Sequence, residues 1–215
     1  MAQVQKTIKI DFQGFWHVGS GRSSGHHLDA ICLKDEFGLP FVAGKQLKGL
    51  LRHAVRRAEE WGWYTDLTLP KGLLTSFEAL LFGSQSQLEG RYETFSGMLF
   101  VDNAQLADEE FDFLKLNDQA MMREYLYQDL YSTSIDQITG TAQDHSLRGI
   151  EVALPVHLFA SLEIKETALD VELRKQQKTF LQAKPWLILE RALPLVDAVG
   201  AHRSRGLGEA LVSFK

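Results

Sequence analysis

The sequence of 215 residues has a single cysteine, Cys32, so no disulfide can form within the chain. One unpaired thiol fits a protein kept in a reducing cytoplasm, where we expect it. No cysteine–histidine zinc pattern is present. The sequence also lacks a run of about eighteen apolar residues, which excludes a transmembrane helix, and its N-terminus has no signal-peptide core. We therefore expect no membrane association.

Excess positive charge is also lacking, because the net charge is −5. A general nucleic-acid binder is usually basic, but a local basic groove is compatible with an acidic chain. The acidic residues concentrate in 102–113 and 166–172, whereas 44–57 contains none. That basic segment carries five cations: Lys45, Lys48, Arg52, Arg56 and Arg57.

The basic segment has the periodicity of a helix. From Gly44 onward, apolar residues recur every three or four positions and predict one buried stripe. Lys45, Lys48 and Arg52 share another face, where they can contact phosphate groups. A solvated amphipathic helix without a ligand explains the same pattern.

The other segments alternate between strand and helix patterns, without repeats, which predicts one α+β domain over residues 1–215 with helices on one face of a sheet. The predicted strands are 7–18, 28–34, 98–102, 157–164 and 209–214. The predicted helices are 73–83, part of 109–129, and 173–189 with an interruption before Pro185. Glycine-rich loops are predicted at 19–27 and 200–208.

A long hairpin arm is predicted at about 132–156, from two extended pieces, 134–138 and 150–156, around a polar segment. Its apolar residues Ile135, Ile138 and Leu147 have no obvious core to join. They could act as a wedge between splayed bases, or pack against a neighbouring subunit or the chain's own sheet. Arg148 is placed to contact a phosphate.

Several short motifs occur together in a fixed order, and the set resembles the RAMP superfamily over about residues 7–214. It is most similar to the repeated backbone subunit of type III CRISPR effector complexes. The motifs are HVGSG (17–21), LD (28–29), GLPFVAGKQLKGLLR (38–52), LLFG (80–83), GMLFVDNA (97–104), TSIDQITGTA (133–142), LRGIEVALPVHLF (147–159) and GAHRSRGLGEALV (200–212).

The resemblance implies a modified ferredoxin-like, RRM-related fold with a long thumb hairpin. It also implies that copies of the chain line up along a guide RNA beside other subunits, pair the guide with a complementary target RNA, and interrupt the pairing with the thumb. One departure is that Lys45 and Gln46 stand where the family usually has small hydroxyl residues. The residues expected to bind RNA are Lys45, Gln46, Lys48, Arg52, Arg148, Arg203, Arg205, Gly19 and Gly21.

The resemblance further implies that Asp29 is the aspartate required for metal-dependent cutting of target RNA, with Mg²⁺ or Mn²⁺ as the ion. His26 and His27 are candidate helpers, since histidine titrates near neutral pH. Two alternatives stay open. The chain could be a structural RNA-binding subunit without catalysis, or a guide-processing endoribonuclease that uses histidines and no metal.

Overall fold

The computed structural model describes residues 5–25, 27–84 and 94–215. The strands are β1 (Gln5–Phe12), β2 (Leu99–Val101), β3 (Tyr127–Ser132), β4 (Arg148–Ala153), β5 (His157–Ile164) and β6 (Ala210–Phe214). The helices are α1 (Gly44–Glu60), α2 (Phe77–Phe82), α3 (Asp108–Leu114), α4 (Ala120–Glu124), α5 (Val171–Gln182) and α6 (Pro185–Ala192). Short 3-10 turns are Asn117–Gln119, Leu193–Leu195 and Arg203–Arg205.

Four strands form the main sheet in the order β2-β5-β1-β6, and each neighbouring pair is antiparallel. Helix α1 connects β1 to β2, while α5 and α6 connect β5 to β6. This is the β-α-β-β-α-β arrangement of the ferredoxin-like motif. Strands β3 and β4 form a separate two-stranded sheet, inserted between β2 and β5. The predicted α+β fold class is confirmed.

The core lies on one face of the sheet because alternate residues of the central strands point the same way. Ile8 of β1 pairs with Ala160 of β5, and Ile10 pairs with Leu158, so the apolar residues of the two strands share a face. Helices α1, α5 and α6 contribute buried side chains to the same core. The predicted placement of helices on one face is thus seen for α1, α5 and α6.

Helix α1 follows the predicted periodicity, with Leu47, Leu51 and Val55 among its buried residues. Its start is fixed by close packing against the end of β2. A Cβ atom at Gly44 would lie 2.2 Å from the Val101 carbonyl oxygen, so the close approach requires glycine. Ala43, the residue before α1, offers no side-chain cap to the helix. Instead, Asn103 Oδ1 accepts a hydrogen bond from the Gly44 amide at 2.9 Å.

The predicted first strand, 7–18, is too long, since β1 ends at Phe12. Beyond it the chain crosses to the inserted hairpin, where Trp16 pairs with Ala153 and its indole Nε1–H donates to the Leu154 carbonyl at 2.8 Å. The predicted strand 28–34 was also wrong. That segment makes only isolated bridges to several different partners, which do not build a continuous ladder.

Of three further helix predictions, the first was wrong in its bounds, while a helical part of 109–129 and the interruption before Pro185 are confirmed. The helix predicted at 73–83 is limited to α2, because Ser76 caps it by accepting from the Ala79 amide. The region 109–129 divides into α3, a 3-10 turn, α4 and the start of β3. The segment 173–189 is two helices, since Lys184 adopts a left-handed conformation immediately before Pro185.

The inserted hairpin, called the thumb below, comprises β3, β4 and the tip 133–147. Its first strand begins a few residues earlier than predicted, and the predicted extended piece 134–138 belongs to the tip. Asp136 Oδ1 organises that tip by accepting from the amides of Ile138 and Thr139, each at 2.8 Å. These backbone donors, Thr139 foremost, lower the pKa of Asp136.

Candidate nucleic-acid interface

The segment that carries Asp29 is an irregular hairpin, residues 19–34, called the Asp29 loop below. Ser20 donates its amide to the Ile31 carbonyl at 3.0 Å, and Ile31 donates to the Arg22 carbonyl at 3.2 Å. Glycines in the sequence GSGRSSG prevent a regular strand here, because glycine populates turn conformations readily. The loop therefore depends on neighbouring elements to fix its position.

Asp29 is exposed and bound to the thumb strand β4. Its amide donates to the Gly149 carbonyl at 2.8 Å, and its carboxylate Oδ2 accepts from the Gly149 amide at 3.0 Å. No hydrogen bond engages Oδ1 within residues 5–25, 27–84 and 94–215. One carboxylate oxygen thus holds the loop on the thumb, and the other is available to a ligand.

The glycine-rich loop 200–208 lies against the segment that leads into the Asp29 loop. Ala201 donates its amide to the His17 carbonyl at 2.7 Å, and Gly208 donates to the Phe15 carbonyl at 2.8 Å. Arg203 and Arg205 on this loop are exposed, and neither has an ion-pair partner in the part of the chain that the structure describes. The fold therefore brings a cationic loop next to the segment containing Gly19.

The predicted cations of α1 divide into two groups. Lys48 donates its ammonium to the Leu99 carbonyl at 2.6 Å, and burial, with repulsion from Arg52, lowers the pKa of Lys48. Arg52 pairs with Glu78 and also donates to the Gly83 carbonyl at 2.9 Å. Both side chains thus bind α1 to its neighbours, and their contacts with RNA stay predictions.

Lys45 and Gln46 occupy the first turn of α1, and Lys45 is exposed. Lys45 has no ion pair with another described residue, so its charge is available. The first amide of the helix is already used, since Gly44 donates to Asn103. The side chain of Lys45, more than the helix N-terminus itself, is what this turn offers a phosphate group.

The three apolar residues of the thumb tip are all exposed, and Ile138 has 95% of its surface accessible. Ile135 and Leu147 are accessible over 56% and 69% of their surface. Packing against the chain's own sheet is therefore excluded for Ile138, which leaves the wedge and the neighbouring-subunit interpretations open. Arg148, at the start of β4, is exposed next to the Gly149 that binds Asp29.

Of the two candidate helper histidines, only His27 lies within the described residues. His27 is exposed two residues before Asp29, and its amide donates to the Ser24 carbonyl at 3.1 Å. His26 lies outside the described residues.

The donor set around Asp29 does not form a metal site by itself. No group of three or more His, Cys, Asp or Glu side chains able to hold an ion occurs among the described residues. Magnesium prefers several oxygen ligands, but it retains water and takes phosphate oxygens from substrates. A divalent ion here would need RNA oxygens and water for most of its ligands, with Asp29 Oδ1 as the protein contribution.

A partly buried polar network behind Asp29 was missed in the sequence. His17 is buried and its Nδ1 lies 2.6 Å from the Glu151 carbonyl oxygen. The Glu151 carboxylate accepts from the Cys32 amide and from the Lys34 ammonium, both at 2.8 Å. Lys34 and Glu151 are far apart in the chain, so no local sequence pattern predicts their contact.

Cys32 lies within this network but is not an activated nucleophile. Burial, together with the negative charge of Glu151, raises the pKa of Cys32 from its ordinary 9.0 to about 12. A reactive cysteine needs a lowered pKa, because the thiolate is the nucleophile. The 3.6 Å contact between Cys32 Sγ and His17 Nδ1 is therefore part of the packing of the network.

Comparison with known proteins identifies the family of the chain. The family model described as the RAMP superfamily matches residues 9–211, which is nearly the whole chain. The chain belongs to the RAMP superfamily. The resemblance stated from the sequence motifs is thereby confirmed. No curated protein matches this RAMP chain.

Solved structures extend the comparison to the fold of the RAMP chain. A chain in the cryo-EM structure of the type III-B Cmr-beta bound to cognate target RNA is similar, with a TM-score of 0.65 and 12% identity over 99% of this chain and 98% of that one. A chain of Cmr-beta in the apo state has a TM-score of 0.60 and 12% identity over 98% and 96%. At this identity the likeness establishes the fold.

The helices of the described ranges are all too short or too polar to cross a membrane.

Proposed function

We propose that this RAMP chain is a backbone subunit of a type III CRISPR ribonucleoprotein, which binds guide RNA and cleaves complementary target RNA at Asp29. The observation that carries the proposal is the position of Asp29. It is exposed at the start of β4, attached to Gly149 and next to the exposed Arg148. The loop that carries the exposed Arg203 and Arg205 contacts His17, on the segment that leads into the Asp29 loop.

The guide-binding part of the proposal rests on exposed cations that have no internal role. Arg203, Arg205, Arg148 and Lys45 are exposed, and no ion pair within the described ranges uses them. Such residues bind the sugar–phosphate backbone without regard to sequence, as a guide that varies in sequence requires. The glycines of both loops, including Gly19 and Gly21, permit close approach of the RNA backbone.

The cleavage part of the proposal rests on the free oxygen of Asp29. A carboxylate oxygen accepts a hydrogen bond from a ribose 2′-hydroxyl and orients it toward the adjacent phosphorus. The other oxygen is held by the Gly149 amide, which fixes the direction of the carboxylate. Mg²⁺ or Mn²⁺, when bound, would neutralise charge at the phosphate, with most of its ligands supplied by RNA and water.

The partners follow from the related complexes. Chains of this fold occur in Cmr-beta, which binds cognate target RNA. We propose that this chain likewise assembles with guide RNA, target RNA, other CRISPR subunits and further copies of itself, in the cytoplasm. The exposed Ile138 at the thumb tip provides an apolar contact for a splayed base or for the next copy.

The proposal is tested by assembling the subunit on a guide RNA and measuring cleavage of a complementary RNA with Mg²⁺ and with EDTA. Asp29→Ala is expected to abolish cleavage while target binding is retained. The matched control is Asp118→Ala, which removes an exposed carboxylate from the turn between α3 and α4. Cleavage by Asp29→Ala at the wild-type rate would remove Asp29 from the mechanism.

A structural role without catalysis is the second candidate, and the Asp29–Gly149 contact favours it. A carboxylate that accepts from a backbone amide of another element has a structural function irrespective of any reaction. Under this candidate the assembled complex binds target RNA and leaves it intact, in wild type and variants alike.

A further inference from the structure

The thumb is joined to the Asp29 loop by more than the Gly149 contact. Ala30 pairs with Ile150 in a parallel bridge, and Glu151 donates its amide to the Ala30 carbonyl at 2.9 Å. The Asp29 loop therefore lies along β4 as an additional, irregular edge of the thumb sheet. A backbone contact of this kind needs support from side chains, because the loop is glycine-rich and has no ladder of its own.

Glu151 supplies that support through both oxygens of its carboxylate. Oε2 accepts from the Cys32 amide and Oε1 accepts from the Lys34 ammonium, each at 2.8 Å. The Glu151 side chain is only 13% accessible, so water does not replace these partners easily. Its backbone carbonyl also accepts from the Cys32 thiol at 3.2 Å. Together with its amide hydrogen bond to Ala30, Glu151 thus contacts three alternate residues of the loop, Ala30, Cys32 and Lys34.

Lys34 connects the same carboxylate to the other thumb strand. Its ammonium lies 3.8 Å from the centre of the Tyr127 ring on β3, a cation–π distance. The Tyr127 hydroxyl in turn donates to the Gly38 carbonyl at 2.8 Å. Glu151, Lys34 and Tyr127 therefore clamp the end of the Asp29 loop between both strands of the thumb.

We propose that Glu151 is the positioning residue for Asp29, and that the Glu151–Lys34 pair makes the thumb and the Asp29 loop a single rigid unit. Glu151 does not contact the reacting atoms. It fixes residues 30–34, which keeps Asp29 in register with Gly149 and directs its free oxygen. This inference deepens the proposed function, since it assigns a role toward the same carboxylate.

The first arm of the test uses the isolated chain without RNA and measures amide hydrogen exchange. The Asp29 and Glu151 amides, which donate to Gly149 and Ala30, are expected to exchange faster in Glu151→Ala than in wild type. Amides that pair β1 with β5 are expected to keep their rates. This arm does not depend on cleavage, so it tests positioning even if the proposed reaction is wrong.

The second arm measures single-turnover cleavage and target affinity in the assembled complex. Glu151→Ala is expected to lower the cleavage rate about 10- to 100-fold, as is typical for residues that orient a catalytic group, with the target Kd unchanged. Glu151→Gln keeps an acceptor for the Cys32 amide and should lose less activity. A purely structural role would lower the melting temperature and leave the cleavage rate of the folded complex as in wild type.

A double-mutant cycle tests whether Glu151 and Lys34 affect cleavage through the contact between them. Lys34→Met and Glu151→Gln together should lower the rate no more than the larger of the single changes, because both remove the same contact. The matched control is the pair Glu163 and Lys165, whose 2.6 Å ion pair lies at the C-terminal end of β5. Glu163→Gln and Lys165→Met should leave cleavage unchanged. If Glu151→Ala prevents folding, both the hydrogen-exchange and the cleavage measurements are made on Lys34→Met instead.

Two results would overturn the inference. One is unchanged exchange of the Asp29 and Glu151 amides in folded Glu151→Ala or Lys34→Met. The other is faster exchange together with a wild-type cleavage rate. If instead Asp29→Ala itself cleaves normally, the proposed function fails, and the exchange arm alone decides whether Glu151 fixes the loop.

Discussion

Asp29 and Gly149 exchange two hydrogen bonds, one through the Asp29 amide at 2.8 Å and one through the Asp29 carboxylate at 3.0 Å. The Asp29 loop is thereby fixed to the start of β4, the strand that follows the thumb tip. The position of the Asp29 carboxylate therefore depends on the position of β4.

Replacing Gly149 with alanine should disturb the site without changing any charged group. The added Cβ would lie 2.8 Å from the Tyr131 ring and 3.0 Å from the His27 carbonyl oxygen, so the strand and loop must separate. We expect a loss of about 1–3 kcal/mol in the free energy of unfolding, as for overpacking, and a lower cleavage rate.

The control for that change is Gly49→Ala on the exposed side of α1, where an added Cβ meets nothing within 4 Å. It should leave cleavage unchanged and stabilise the helix by about 0.5–1 kcal/mol. Chemical denaturation checks both variants. Equal stability of Gly149→Ala and wild type would contradict the tight packing between β4 and the loop.

The exposed arginines of the loop 200–208 should act on RNA binding and not on stability. Changing Arg203 and Arg205 together to alanine is expected to weaken guide RNA binding for all sequences and to reduce the slope of log Kd against log salt by about two. Filter binding over a salt series measures this. The control is Lys175→Ala with Lys178→Ala on α5, which should leave the slope as it is in wild type.

Arg52 should show the opposite behaviour, because it is engaged inside the protein. Glu78 is buried and pairs with Arg52, so Arg52→Ala leaves a carboxylate without its cation. We expect a loss of about 1–3 kcal/mol of unfolding free energy, the cost of leaving a charged hydrogen-bonding group unsatisfied. Urea denaturation of Arg52→Ala beside Arg203→Ala tests the contrast. A loss of RNA affinity with unchanged stability would show that Arg52 binds RNA after all.

Alkaline pH should destabilise the network behind Asp29. The pKa of Cys32 is raised from 9.0 to about 12, so above pH 9 the unfolded chain loses this proton while the folded chain keeps it. Stability is therefore fully present below pH 9 and falls as pH rises toward 12, by at most about 1.4 kcal/mol per pH unit. Burial likewise raises the pKa of Tyr127, which adds to the fall at higher pH.

Denaturation of wild type and Cys32→Ala at a series of pH values separates the effect of Cys32 ionisation on stability from that of Tyr127 ionisation. The variant should lack the part of the fall that begins near pH 9 and keep the later part that tyrosine ionisation causes. An identical pH dependence in both proteins would show that Cys32 does not remain a protonated thiol in the folded chain.

Sequence periodicity predicted α1 and β5 well, because their buried residues recur at the spacing of one face. It failed for β3, whose residues Tyr127–Ser132 are largely exposed and so have no apolar alternation. It also failed for 28–34, where single bridges replace a ladder. Local patterns report burial on one face, and neither segment has such a face.

The candidate site was predicted residue by residue from ordered motifs, but its internal contacts were not. Spacing placed Lys45, Lys48 and Arg52 on one face, yet only the fold shows that Lys48 and Arg52 have partners on β2 and α2. The Glu151–Lys34 pair joins residues separated by most of the chain. Contacts of this kind depend on tertiary packing, which no short sequence pattern encodes.

The most direct test of the account is single-turnover cleavage of target RNA by a complex assembled with Asp29→Asn. The amide keeps an oxygen to accept from Gly149 and removes only the negative charge, so the loop stays in place. Target affinity should be unchanged and the cleavage rate lower by about 100-fold or more. Cleavage at the wild-type rate would contradict the role of Asp29 in cleavage, and the chain would then be an RNA-binding scaffold.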